Sequence, residues 1–452
     1  MYKVLNCIIR RNHQLYDYLD VMSHNARNLY NAALFRERQM MTSSNKDDSE
    51  LKDLQREVIK EVEYALTLMH QKRKVSPSGV LNYYFLNDVM RLNQNPDYMV
   101  LPAHVRENVL KHVVHDISSY FDVLKSYKKD ASSFTGRPQL PRYKHKQGKS
   151  TFTMSNQECV IKTNSKGNYQ CKLPKTKIVV PLGKKVPGRL IEVHVTPIGE
   201  KYQMSFVFDD VQEAPIIKKE SKRIASIDIG VDNLMAVTNN VNQPSLLIKG
   251  LPIKLVNQMY NKAIASIVSN HTLSTKQKFQ PTKQFNAVTM NRNNRIKDYL
   301  FKTVKYFMTW CVDNRIDTIV IGKNNLWKQE SDIGKRNNQT FVQMPFGQLI
   351  KMIEYSAERV GIKTIEQEES YTSKASYLDG DDIPVYKKET DNKYQFSGKR
   401  IKRGLYKSKD GRCINADLNG SANIMRKAFP LLATNINFES IKTIRNAYTV
   451  LN

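Results

Sequence analysis

Two aspartates in this chain sit where a metal-dependent hydrolase would need them. In RIASIDIGVDNLMAVTNN an apolar run delivers Asp228 to the turn at Gly230, and a second apolar run returns. In INADLNGSANIMRKAF, Asp417 stands just ahead of an amphipathic stretch, with Asn419 two residues later. Each has an ordinary explanation: a strand-end Asp closes hairpins, and an Asp at a helix start serves as an N-cap. The pair is more specific than either alone. Phosphodiester cleavage by two Mg²⁺ ions needs carboxylates that hold the ions ~3.5–4 Å apart. One Asp on a first strand and one on a last helix is a way for a fold to converge them.

The elements that must do this follow from periodicity. Residues 2–10 alternate as a strand, and from about His13 to Met41 apolar residues recur at helical spacing, among them Leu19, Met22, Ala26 and Leu29. Further helices are predicted at about 50–72, 79–93 and 102–128. The segment GRPQLPRYKHKQGK after them excludes a regular helix. Residues 151–212 break into short alternating runs separated by Gly, Pro and Asn, an antiparallel pattern that predicts a small barrel. VQEAPIIKKESK reads as a linker, and beyond it strands and helices mix as in a layered α/β domain. Residues 374–412, rich in Lys, Asp, Gly and Tyr, read as a loop or small subdomain.

Composition narrows the partner. The 452 residues carry 71 Lys+Arg against 43 Asp+Glu, a net charge of +28 spread along the chain. That implies a polyanion, because neutralised phosphates release counterions. No stretch approaches the ~20 apolar residues of a membrane span. The five cysteines form no CxxC pair, and MYKVLNCIIRRNHQ lacks a signal peptide's apolar core. A reducing, cytoplasmic compartment is expected, prokaryotic and nucleoid-associated when DNA is bound.

In order, SIDIGVDNL around Asp228, YTSKAS at 371–376 and NADLNGSANI around Asp417 resemble the landmarks of the TnpB family of transposon-encoded RNA-guided DNA endonucleases, which is related to the compact type V CRISPR effectors. NRNNRIKDYLFKTVKYF before TIVIGKNNLW, and FGQLIKMIEYSAERVGIKTI after it, fit the same pattern. GRPQLPRYKHK is similar to the family's GRPxFK-like segment. The resemblance is strong over 223–428 and weak before about residue 100.

It implies a multidomain α+β protein. An RNase H-like RuvC nuclease domain would occupy 223–370 and 416–452, and a wedge-type β-barrel 1–10 and 150–222. A helical recognition lobe would take 11–149, and a zinc-less ribbon-like insert 371–415. The implied activity is that of a metal-dependent endodeoxyribonuclease, cutting DNA exposed by guide-RNA pairing beside a short adjacent motif. Guide RNA and target DNA are the expected partners, with two Mg²⁺ as cofactors, no membrane partner and one chain per guide RNA.

Two departures from the family pattern matter. The family's central strand ends on a glutamate, roughly IVIE, whereas TIVIGKNN has Gly322 there. Either the site is dead or another carboxylate serves. IKTIEQEES offers Glu366, Glu368 and Glu369. Alternation puts Glu366 and Glu368 on one strand face, and Gln367 and Glu369, with Ile365, on the other. Glu369, at the strand's very end, is the first expectation and Glu368 the second; a solvated acidic edge is the alternative. The expected catalytic set is therefore Asp228, Glu369 and Asp417, with Glu368 as a further metal-ligand candidate. The second departure is the missing CxxC pairs. Cys413 alone cannot make a four-ligand zinc site, so no zinc is expected, and Tyr377, Leu378, Tyr386, Phe396, Leu405 and Tyr406 would hold the insert.

Nucleic-acid contacts are expected from Arg137, Arg142, Lys144 and Lys146 in the basic turn and from Arg292 and Arg295, three apart on one helix face. Lys399, Arg400, Lys402 and Arg403 in the insert complete the set. Solvated basic faces are the plain alternative for the turn and the insert, and pairing with a neighbouring carboxylate for Arg292 and Arg295. Two other functions stay open, a nuclease-dead RNA-guided repressor and a CRISPR-associated effector; a direct DNA transposase is a third alternative, against which the TnpB-like landmarks argue.

Overall fold

The chain divides into two units, Met1–Gln212 and Glu213–Asn452. The computed structural model describes residues 2–69, 76, 78–209, 222–275, 279–323, 335–385 and 394–447.

The first unit opens with β1 (Tyr2–Ile9) and α1 (Tyr16–Ser43), followed by α2 (Asp53–Leu68), α3 (Tyr83–Leu92), α4 (Pro96–Met99) and α5 (Ala103–Lys129). The apolar stripe of α1 is buried along its length, from Leu19 through Met22, Ala26 and Leu29 to Ala33, as the helical spacing requires. Val105, Val109, Leu110, Val113 and Ile117 of α5 enter the same core. After α5 the basic turn is stitched back onto α1. Ser23 Oγ donates to Ser150 O at 2.7 Å and accepts from Ser150 N at 2.9 Å. Asn31 and the Lys144 backbone exchange two more hydrogen bonds.

Six strands follow: β2 (Phe152–Ser155), β3 (Val160–Thr163), β4 (Tyr169–Lys172), β5 (Val179–Gly183), β6 (Arg189–Ile198) and β7 (Lys201–Asp209). The expected barrel does not close among the described residues. One antiparallel sheet runs β1-β7-β6-β2, and β3-β4-β5 form a second sheet by themselves. The chain turns straight after β2, with the Glu158 and Cys159 amides bonding Ser155 O, so the next three short strands pair only with each other. Alternation identifies strands and their faces; it does not say which edges pair.

The second unit is built on a six-stranded sheet in the order β12-β11-β8-β9-β10-β16. β8 (Ile224–Asp228), β9 (Asn233–Asn239) and β10 (Pro244–Lys249) form an antiparallel meander. The paired helices α6 (Leu251–Thr275) and α7 (Lys283–Asp313) lead into β11 (Thr318–Lys323). Next, α8 (Lys335–Val342) and α9 (Phe346–Arg359) lead into β12 (Lys363–Glu368). Both β11 and β12 run parallel to β8. The three short strands β13 (Lys399–Lys402), β14 (Leu405–Lys407) and β15 (Cys413–Asn415) form a small separate sheet. Then come α10 (Ala416–Ala428) and β16 (Asn437–Ile444), which pairs parallel with β10.

β8 and β9 are apolar almost throughout because both sheet faces are covered. Ala225, Ile227, Ile319 and Ile321 pack toward α7 and α9. Ile224 and Val320 pack toward Ile424 and Met425 of α10. Alternation then directs Asp228 and Gly322 to the α10 face.

Among the described residues no helix is long and apolar enough to cross a membrane.

Candidate active site

Three carboxylates converge at one end of this sheet. Asp228 ends β8, Glu369 follows β12 directly, and Asp417 lies in the first turn of α10. Burial first, then the charges of Glu369 and Asp417, raise the Asp228 carboxyl well above the ordinary carboxylate range, and Arg400 pulls the other way. Asp228 is therefore held within electrostatic reach of both Glu369 and Asp417.

The ordinary explanation for Asp417 does not apply. The cap of α10 is Asn415, whose Oδ1 accepts from Asp417 N at 3.0 Å and Leu418 N at 3.2 Å. That leaves the Asp417 carboxylate to other partners. Its Oδ1 accepts from Arg400 Nη2 at 2.8 Å, and its Oδ2 from Asn233 Nδ2 at 2.6 Å. The β8–β9 hairpin is closed by Gly230 N–H on Asn233 O, a backbone bond.

Of the acidic residues on β12, two are taken up elsewhere. Glu366 pairs with Lys323 at 2.6 Å. Glu368 pairs with Lys427 at 2.5 Å and accepts from Ser370 N at 2.7 Å. Burial pushes the Glu368 carboxyl up, but those two partners more than offset it and leave it below its ordinary value. Glu369 lies on the other face, over Gly322, with Oε2 at 3.0 Å from where a Cβ on that glycine would stand.

Three carboxylates supply hard oxygen donors and surplus negative charge, the chemistry of a Mg²⁺ site. In kind and in charge the donor set fits the metal. As placed, however, no group of three or more His, Cys, Asp or Glu among the described residues could hold an ion. Arg400 provides the positive charge that offsets the cluster.

The basic residues differ in what they can reach. Arg137, Lys146, Arg295, Lys399, Lys402 and Arg403 are exposed. Arg142 is exposed and donates to Gln139. Arg403 also pairs with Asp232, which a second cation, Lys254, holds at 2.7 Å. Lys144 is a packing cation instead. Its Nζ sits 3.9 Å from the Tyr30 ring centroid and donates to Ser150 Oγ at 2.7 Å, and burial lowers its pKa. Arg292 is likewise half-buried, bonded to Asn257 and to Gln343 O, with its guanidinium over the Tyr260 ring.

The insert is held by Tyr406, whose hydroxyl donates to Lys374 O at 2.7 Å, and by Tyr377, whose hydroxyl donates to Ala433 O. Leu378 packs against the Tyr406 cluster, and the Phe396 ring faces Tyr371. Tyr386 lies outside the described residues. Sequence reasoning noted Asn419 beside Asp417 without giving it a role, and passed over Asn233 and Asn423. The signal available was position, since all three stand within six residues of a candidate carboxylate.

The family model described as a probable transposase, OrfB_IS605, matches residues 207–328. The Cas12f1-like TNB domain model matches residues 346–424. The TnpB-like protein ORF457 of Acidianus two-tailed virus is 24% identical over 258 residues, covering 54% of this chain. The chain spans 50% of the length of that curated relative. A cryo-EM structure of the Cas12f1–sgRNA–target DNA complex superposes with a TM-score of 0.33 at 13% identity, over 95% of this chain and 100% of that one. A cryo-EM structure of a CRISPR–Cas12f ternary complex gives 0.33 at 12% identity, over 87% and 81% of the two chains. At that level the superpositions add nothing to what the sheet order already shows. The two family models fall on the segments that carry Asp228 and Asp417, and with the viral relative they support a relationship to the TnpB family.

Proposed function

We propose that this protein is an RNA-guided DNA endonuclease whose nuclease centre is Asp228, Glu369 and Asp417. The observation that carries this is their convergence from β8, the end of β12 and α10, with Glu369 lying over the bare Gly322. Residues 223–370 and 416–452 would form the RuvC-type domain, 11–149 the recognition lobe, 1–10 and 150–222 the wedge, and 371–415 the insert. Guide RNA would select the target by base pairing, and the exposed cations of the basic turn and of β13 would hold phosphates.

Asp228, Glu369 and Asp417 would hold the metal, and Glu368, tied to Lys427, would stay outside. Two bound Mg²⁺ would supply an activated water and a counter-charge for the leaving oxygen. Asn233 orients the Asp417 carboxylate, and Lys249 Nζ fixes Asn233 in turn through a 2.7 Å bond to Oδ1. Gly420 lets α10 approach the sheet, since a Cβ there would collide with Asp228 Oδ2.

The engagement of both Asp417 oxygens favours a second reading, an RNA-guided DNA-binding repressor that does not cut. One experiment separates the two. The protein is purified with its co-expressed guide RNA and incubated with a plasmid bearing a matched target, in Mg²⁺ and in EDTA. Cutting in Mg²⁺ alone supports the nuclease; tight binding without cutting under both conditions supports the repressor.

A further inference from the structure

Beyond carrying Asp417, α10 ties down the segment that follows β12. Asn419, Asn423 and Lys427 lie four residues apart on one helix face. Asn419 Nδ2 donates to Ala375 O at 2.8 Å, and its Oδ1 accepts from Tyr377 N at 3.0 Å. Asn423 Nδ2 donates to Thr372 O at 2.9 Å and to Ala375 O at 2.7 Å. Lys427 Nζ reaches Ser370 O at 3.2 Å as well as Glu368. Thr372 closes the turn on Glu369 itself: its amide and Oγ1 both donate to Glu369 O, at 3.2 and 2.8 Å. Within the turn Tyr371 has φ of +63°, a conformation that L side chains seldom adopt, so outside contacts hold it there.

The choice of amides is informative. Asn419 and Asn423 are both wholly buried. Left to itself, a turn bearing Glu369 would be driven away from Asp228 and Asp417 by like-charge repulsion. Lysines at both positions would bind the same carbonyls but would bring neutralising charge toward the cluster. An amide holds the turn and leaves the negative charge available to a cation.

We propose that Asn423, seconded by Asn419, is a positioning residue of the nuclease centre: it fixes the 369–377 turn to the helix that carries Asp417, and so sets where Glu369 stands relative to Asp417 and Asp228. This rests on the nuclease reading given above.

The test uses the full chain with its guide RNA. Asn423→Ala is compared with wild type in three measurements: Mn²⁺ binding by electron paramagnetic resonance without target DNA, single-turnover cleavage against Mg²⁺ concentration, and the melting temperature. Half-saturation by Mn²⁺ should move up by ~10-fold or more, and the Mg²⁺ dependence of cleavage should move with it. Affinity for matched DNA should hold. Val304→Ala, in the α7 core, is the destabilised control and should lower the melting temperature without moving either metal curve. If Asn423→Ala folds poorly, Thr372→Val removes the hydroxyl bond to Glu369 O at nearly constant shape and should shift the metal curves in the same direction. A lower melting temperature with unmoved metal curves in both variants would overturn the positioning role. If wild type neither cuts nor binds Mn²⁺ in an Asp228-dependent way, the nuclease reading falls first and the positioning role falls with it.

Discussion

Glu369 reaches into the space that a side chain on Gly322 would fill. A Cβ on Gly322 would stand 3.0 Å from Glu369 Oε2, 3.3 Å from Ile227 O and 2.5 Å from Ile424 Cδ1. Gly322 pairs with Gln367 across β11 and β12, so the strand end that carries Glu369 runs alongside it. The bare position and Glu369 thus adjoin: Gly322 leaves room at the strand end, and Ile424 and Glu369 take it up.

Gly322→Ala should therefore disturb the site through Glu369. The added methyl group must displace Ile424, Glu369 or both, and cleavage should fall by ~10-fold or more with folding retained. Glu369→Gln keeps shape and removes the charge, and should reduce cleavage by at least ~100-fold, about 2.7 kcal/mol of transition-state stabilisation. Single-turnover rates on a matched plasmid provide the measurement. Wild-type rates for Glu369→Gln would remove Glu369 from the centre.

Asp228→Ala and Asp417→Ala should each abolish cleavage and leave guided DNA binding largely intact, because neither side chain contacts phosphate in the proposed mechanism. Gel-shift affinity and plasmid cutting, measured side by side, check this. Loss of binding in step with cutting would point to misfolding or to a different site.

Much of this arrangement was legible from local pattern. Alternation along IKTIEQEES separated Glu369 from Glu368, and the helical spacing after residue 13 found α1. The rest depends on contacts through space that no local pattern encodes. Arg400 lies 17 residues from Asp417 and reaches it only because β13 folds back beside α10. Lys144 looked like a phosphate contact in a basic turn, and Tyr30, 114 residues earlier, makes it a packing residue. The barrel expectation failed for a related reason, since pairing of β3, β4 and β5 among themselves is decided by turns and edges rather than by alternation.

The two kinds of lysine in the basic turn should separate experimentally. Lys146→Ala should weaken guide-RNA binding and reduce the slope of log affinity against log salt by about one contact's worth. Lys144→Ala removes a cation over Tyr30 and a bond to Ser150 Oγ, so it should chiefly lower the melting temperature. Filter binding at several salt concentrations and a thermal melt provide the two readouts. Equal salt-slope losses for both variants would make Lys144 a phosphate contact after all.

Glu37, wholly buried in α1, gives a pH signature in the first unit. Burial pushes its carboxyl up to about 8, against which the Leu81 amide on Oε2 is a weaker opposing influence. The folded form thus keeps a proton that the unfolded chain releases from about pH 4.5. Stability should be full below that pH and decline as pH rises toward about 8, by on the order of a few kcal/mol. Glu37→Gln, which cannot ionise, should flatten this dependence. Denaturant melts of both proteins at pH 5 and pH 8 test it; parallel pH profiles for the two would exclude Glu37 as the cause.

Arg400 offers the sharpest test of the proposed metal centre. Its guanidinium holds Asp417 Oδ1 at 2.8 Å and offsets the charge on Asp228, so a divalent ion must compete with it for the same carboxylates. The pair is partly exposed, with 47% and 27% of the two side chains open to solvent, so its strength is limited to about 1 kcal/mol or less. In the absence of DNA, Arg400→Gln should therefore bind Mn²⁺ ~2–5-fold more tightly than wild type. Cleavage should not improve in parallel, because the same substitution removes a cation from the strand proposed to hold phosphate. Mn²⁺ titration of the RNA-bound protein decides the matter: unchanged or weaker binding in Arg400→Gln would mean that Arg400 supports the carboxylate cluster instead of competing for it.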